Sequence, residues 1–199
     1  MVSRVTADHV PDETPLSLAA VGCSGSKFED AGTCPAKNLY KGSYWVNKKK
    51  YGEACADEWR IISAEHALLH PNTEITYYER TPADLEDIPV DTIAQLPSGA
   101  PVDDKLDAWA LDVYNGLETW LTTLSEDTSN RPVRLDILLG RSYRAPLESR
   151  DVFTALEEDR KLTIRFPFQE IEAAQGGLFQ QIKWMGNAVD AAASPTNSP

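Results

Sequence analysis

Leu16-Ser17-Leu18-Ala19-Ala20-Val21-Gly22-Cys23-Ser24-Gly25-Ser26-Lys27 changes character at Gly22. Up to Val21 the run is short and apolar, as a buried strand is. Beyond it come small, polar, nucleophile-capable side chains and a lysine. An open α/β sheet puts its ligand at such an edge, because the carboxyl end of a strand leaves backbone N–H groups free and glycine lets the chain turn tightly. A site at residues 22–27 is the first expectation.

Working outward, Trp59-Arg60-Ile61-Ile62-Ser63-Ala64 reads as a second short buried strand that also ends in small polar residues. Residues 133–139 make a third, ending in Gly140-Arg141-Ser142-Tyr143-Arg144, and 162–166 a fourth. Helices fall between them at 43–56, 103–124, 147–158 and 178–189. The clearest is 103–124, where Leu106, Trp109, Val113, Leu117, Trp120 and Leu124 recur at steps of three and four and so stack on one face. Strands alternating with helices imply an α/β fold with a small, mostly parallel sheet covered by helices on both faces, a Rossmann-like three-layer arrangement, because parallel neighbours need crossover connections. Residues 80–102 carry Pro82, Pro89, Pro97 and Pro101 among acidic side chains, which predicts a long, proline-broken surface connection and a candidate lid. Residues 1–14 read as a flexible arm, 15–190 as one domain, and 191–199 as a disordered tail.

Composition narrows the function classes. With 199 residues, 42% hydrophobic and 25% charged, the chain has material for one sizeable core. A formal charge of −12 repels nucleic acid over most of the surface, so a polyanion needs a locally basic face. The same acidity fits a halophilic protein held soluble at high salt, and equally an ordinary acidic cytosolic one. Three cysteines without framework spacing argue against a secreted disulfide scaffold and for a reducing, cytoplasmic setting. The polar N-terminus and the lack of a membrane-length apolar run predict no targeting segment and no membrane partner. Oligomeric state is not legible.

In a parallel sheet the carboxyl ends of neighbouring strands share one edge, so three segments distant in sequence converge. They offer Cys23, Ser24, Ser26 and Lys27; Ser63, Glu65 and His66; and Tyr143 with Arg144. Cys23 beside a lysine is a candidate nucleophile, and equally a small buried residue at a strand end. Ser24, Ser26 and Lys27 suit an anion cradle of hydroxyls, turn amides and a point charge. His66 is the candidate for proton transfer, oriented by Glu65 or Ser63. His66 and His70 are spaced to share a helix face as metal ligands, but Pro71 follows and the cysteine spacing fits no common zinc pattern, so neither metal nor cofactor is expected. Residues 31–52 hold no acid while Lys37, Lys41, Lys48, Lys49 and Lys50 alternate with Tyr40, Tyr44, Trp45 and Tyr51. That island reads either as a stacking surface for nucleic acid or as a solvated helix face with its aromatics turned into the core.

Taken together, Gly22-Cys23-Ser24-x-Ser26-Lys27, Ala36-x-x-Leu39-Tyr40-x-Gly42-Ser43, Ile62-Ser63-Ala64-Glu65-His66-x-Leu68-Leu69, Ile75-x-x-Tyr78 and Gly140-x-x-Tyr143-Arg144-x-Pro146-Leu147 resemble a family of uncharacterised microbial and phage-encoded domains. Gly177, Gln180, Gln181 and Trp184 approximate its closing helix, so the resemblance covers about 16–185. More distantly the pattern looks like the peroxide-stress YaaA proteins, associated with DNA binding, and a domain of archaeosine synthase, which modifies a base in transfer RNA. The resemblance implies handling of a nucleobase, nucleotide or nucleic acid, with Cys23, Ser63 and His66 as catalytic candidates. Ser24, Ser26, Lys27, Tyr40, Ser43, Glu65, Tyr143 and Arg144 are the binding candidates. The expected function is nucleobase modification or base removal, or alternatively non-catalytic binding of a nucleotide or nucleic acid. Ala67 departs from the family's usual glycine, where a tight left-handed turn strains any side chain.

Overall fold

Around β1 (Leu16–Gly22) the chain lays β3 (Glu58–Ser63) and β6 (Val133–Leu138), both parallel to it. β7 (Leu162–Arg165) is parallel outside β6, and the short β4 (Ala67–Leu69) runs antiparallel outside β3, giving the order β4-β3-β1-β6-β7. This computed structural model describes residues 14–127, 131–157 and 162–194. A separate two-stranded pair joins β2 (Cys34–Pro35) to β5 (Glu74–Ile75).

Side chains alternate across a strand, and both faces of this sheet are apolar. Leu16, Leu18 and Ala20 of β1 pack on one face with Ile62, Leu135 and Ile137, under α3 (Lys105–Asp127), α4 (Arg141–Glu148) and α5 (Val152–Glu157). Ala19 and Val21 pack on the other with Ile61 and Leu138, under α2 (Ser43–Cys55) and α7 (Leu178–Ala193). The short α1 (Ala36–Leu39) and α6 (Pro167–Glu170) complete this second layer. The result is the three-layer α/β arrangement expected. In α3 the predicted stripe is the buried face, and Asp104 caps the helix by accepting the Asp107 amide at 2.8 Å. Each large apolar side chain buried there contributes about 1.5–3 kcal/mol.

Several boundaries differ from expectation. The helix expected at 147–158 is two: α4 starts at Arg141, directly after the strand end, and the chain turns through left-handed Asp151 (φ 56°) before α5. Pro146 reads as a helix start, yet it sits inside α4, at the loss of one backbone hydrogen bond. Glu158 lies outside the described residues, as do 1–13 of the expected arm and 195–199 of the expected tail. The tail's first residues, 191–193, belong to α7. The 80–102 connection is pinned by buried Leu85, Leu96 and Val102 and opens with a 3-10 turn, Pro82–Leu85, that Thr81 and Asp84 cap reciprocally. Among the described residues no helix is long and apolar enough to cross a membrane.

Candidate functional site

In this strand order the chain steps from β1 to β3 on one side and later to β6 on the other, so the β1/β6 boundary is the topological switch point, where crossovers leave a crevice beyond the strand ends. Cys23 follows β1 and Tyr143 lies in the first turn of α4 after β6. Their side chains meet across that boundary, Cys23 Sγ to Tyr143 Oη at 3.1 Å. The sequence expectation that the two segments converge is met by direct contact.

Lys27 is placed by backbone pairing. Phe28 donates to the Leu39 carbonyl at 2.9 Å and Lys41 to the Ser26 carbonyl at 3.0 Å, which sets Lys27 beside Tyr40. Its side chain turns inward, leaving the residue 5% exposed, with the ammonium over the Tyr78 ring at 4.3 Å and near the Tyr40 ring at 6.0 Å. Among the described residues no carboxylate pairs with it and no hydrogen bond reaches it. Tyr78 Oη in turn bridges Tyr40 Oη and Ser63 Oγ, each at 2.7 Å. Ser63 is fully buried, and its Oγ accepts the Glu65 and His66 amides, so this hydroxyl holds the turn after β3. Trp109 Nε1 donates to the Ser63 carbonyl at 2.8 Å and fixes the strand end from the α3 side.

A second buried lysine lies beneath. Lys48 Nζ donates to the Gly22 carbonyl at 3.0 Å and sits over the Tyr44 ring at 4.2 Å. A Cβ on Gly22 would come within 3.0 Å of Leu139 Cδ2 and 3.4 Å of that Nζ, so the glycine admits the close approach. Burial lowers the Lys48 pKa to about 8, partly opposed by Cys23. Burial also raises the pKa of Tyr40, Tyr78 and Tyr143, with Cys23 adding to each, so all three phenols stay protonated and keep their donor hydrogens. His66 stands edge-on to the Tyr78 ring, centroids 5.1 Å apart, and partial desolvation lowers its pKa against the pull of Glu65, leaving a neutral imidazole at pH 7.

The remaining candidates are placed as follows. Ser24 Oγ donates to the Lys41 carbonyl and accepts the Ser26 amide, closing the turn; Ser26 and Ser43 are exposed. Glu65 pairs with Arg80 at 2.8 Å, not with His66, and Arg144 pairs with Glu148 one helical turn on. In the lysine island Tyr40, Trp45 and Tyr51 are buried, so its aromatics form core and no stacking surface exists there. Lys48, Tyr78, Trp109 and Arg80 were not singled out as site residues from sequence. Lys48 was the legible one: it sits three residues from both Trp45 and Tyr51, on the buried face of α2.

The strand ends gather two largely buried lysines, three protonated phenols, a thiol and a neutral imidazole. Glu65, beside His66, is engaged by Arg80. Such a set attracts an anion, donates hydrogen bonds to it and has a nucleophile and a base close by. Among the described residues no group of three or more His, Cys, Asp or Glu is placed to hold a metal ion. A comparison with curated proteins finds no match. Residues 18–186 match a family of unknown function, DUF6884, and the chain belongs to that family.

Proposed function

We propose that this protein is a nucleotide- or nucleic-acid-directed enzyme that modifies or removes a nucleobase at the β1/β6 strand ends. The observation that carries the reading is Lys27, a residue 5% exposed whose ammonium has no anion beside it among the described residues. A buried charge is ordinarily paired, so the missing partner is supplied by a ligand, and phosphate suits a point charge at a switch point. Tyr143 and Tyr78 offer ring faces and hydroxyls to a base, His66 is the proton-transfer group, and Cys23 is the nucleophile. The resemblance to YaaA proteins and to a domain of archaeosine synthase points to the same substrate class.

One observation favours the second reading, a non-catalytic nucleotide-binding module. Among the described residues no hydrogen bond joins the His66 ring to Cys23 or Ser63, so a base–nucleophile pair is not assembled without ligand.

The test is a thermal-shift panel of nucleosides, nucleotides, inorganic phosphate and short DNA and RNA strands, followed by assays of base release or modification on whatever binds. Phosphate-bearing nucleotides are expected to stabilise the wild type and not Lys27→Met. His66→Ala is expected to keep binding and lose turnover. No shift with any ligand overturns the proposal, and binding without turnover in the wild type assigns the protein to the second reading.

A further inference from the structure

We infer that the nucleotide taken at the strand ends is one unit of a single strand, and that a groove beside the site receives its neighbour. This deepens the nucleotide-directed reading and rests on it. The groove, about 800 Å³, lies between the 80–86 segment and α4. Gly25, Arg80, Pro82, Arg141, Tyr143 and Pro146 line it, with Glu86 as its carboxylate. Two of these belong to the strand-end site as well. Gly25 is in the Cys23 turn, and Tyr143 carries the hydroxyl that meets Cys23 at 3.1 Å. The groove and the strand-end site thus share the Cys23 turn and Tyr143.

The groove's chemistry differs from that of the inner pocket. Its walls are flat and apolar, with Pro82, Ala83, Ala145, Pro146 and the Tyr143 ring, which is a surface on which a base stacks irrespective of its identity. Its cations lie at the rim. Arg80 is held by Glu65 at 2.8 Å, whereas Arg141 is exposed and has no hydrogen bond or ion pair among the described residues. With Arg80 neutralised by Glu65 and Glu86 set against Arg141, the groove is locally neutral in a chain of formal charge −12, and Arg141 is its unpaired cation among the described residues. Apolar platforms with a free guanidinium beside them suit an unpaired base and its backbone phosphate. A duplex buries its base faces in its own stack and cannot use the platform. A free mononucleotide on Lys27 leaves the groove empty. A single strand uses both.

The test is fluorescence anisotropy with a labelled pentanucleotide, as DNA and as RNA, with the matching mononucleotide as competitor and a duplex as comparison. The single strand is expected to bind at least about tenfold more tightly than the mononucleotide, and Arg141→Glu to weaken it by about tenfold and reduce the salt slope by about one phosphate contact. Mononucleotide affinity should change less than about twofold, since among the described residues no contact joins Arg141 to Lys27 or to the Tyr40 and Tyr78 rings beside it. Glutamate at the first position of α4 is favourable to the helix, so the variant retains its fold, and Arg141→Ala should give the same direction with smaller size. A pentanucleotide that binds no better than the mononucleotide, an equal affinity for duplex, or a silent Arg141→Glu overturns the inference while leaving the strand-end reading intact. A wild type that binds neither ligand overturns both.

Discussion

Replacing Lys27 with methionine should make the ligand-free protein more stable. Taking an ammonium group from water into a site where the residue is 5% exposed costs several kcal/mol even after relaxation. An aromatic face returns about 2 kcal/mol when the cation is desolvated, and Tyr78 lies at 4.3 Å with Tyr40 farther away at 6.0 Å. Among the described residues no carboxylate supplies the remainder, which leaves a deficit of about 1–3 kcal/mol. Methionine keeps an unbranched stem of similar length, and its sulfur packs against an aromatic ring, so the exchange removes the charge without opening a cavity. A gain of 1 kcal/mol moves the Tm of a domain this size by about 2–4 °C, so an increase of about 2–12 °C is expected. The assay is thermal and urea unfolding of both proteins at pH 7 in a buffer without phosphate or sulfate, then with phosphate added. In the wild type a ligand at about a hundred times its Kd adds about 2.7 kcal/mol, and in Lys27→Met it should add nothing. A variant whose Tm falls by more than about 2 °C would show that Lys27 stabilises the fold as it stands, and the argument that its missing partner is a ligand would collapse.

Two further outcomes follow from the same region. Lys48 titrates at about 8 in the folded protein against 10.5 as an ordinary lysine, so between those values the unfolded chain holds a proton that the native one has released, and stability rises with pH. Thermal unfolding should show this rise between about pH 8 and 10 and a decline above it, where Tyr40, Tyr44 and Tyr51, raised by burial, hold their protons only in the native state. Lys48→Met should flatten the rise, and a wild-type Tm that falls across that interval would contradict the assignment. Ala67 sits at φ 52°, in the left-handed region where a side chain costs about 1–2 kcal/mol. Ala67→Gly should therefore raise stability by about 0.5–1 kcal/mol after the entropy of the freer unfolded chain is subtracted, read by urea titration; a loss of stability would place the packing of that methyl above its strain.

The sheet was legible because its signal is local. β1 is apolar on both faces and ends in a polar turn, and α3 shows its stripe over six turns of helix. The strap of β4 was not, since three residues carry no period, and the left-handed Ala67 that starts it was visible only as a departure from a resembled pattern. α4 was misread at its start because Pro146 argues against a helix that tolerates it. Of the site, Cys23, Lys27, His66 and Tyr143 were legible as strand-end residues. The burial of Lys27 was not, because it depends on Tyr40 and on Tyr78, which reach it through the pairing of 26–28 with 39–41 and a segment some fifty residues on.

The acidity of the chain, which first argues against an anionic ligand, fits this site once the two scales are separated. A formal charge of −12 repels polyanions over the surface as a whole and so suppresses adhesion to any phosphate backbone that happens to approach. The island keeps Lys37, Lys41, Lys49 and Lys50 at its surface but offers no stacking surface with them, because Lys48 and three of its aromatics are buried. At the switch point the cations are Lys27 and Lys48 within and Arg141 at the rim. On the proposed function, a ligand repelled elsewhere would be bound only by presenting its charge at the strand ends, beside the phenol hydroxyls and rings gathered there. Selectivity then comes from the repulsion as much as from the site, since discrimination is a difference of affinities and raising the free energy of every wrong encounter widens it.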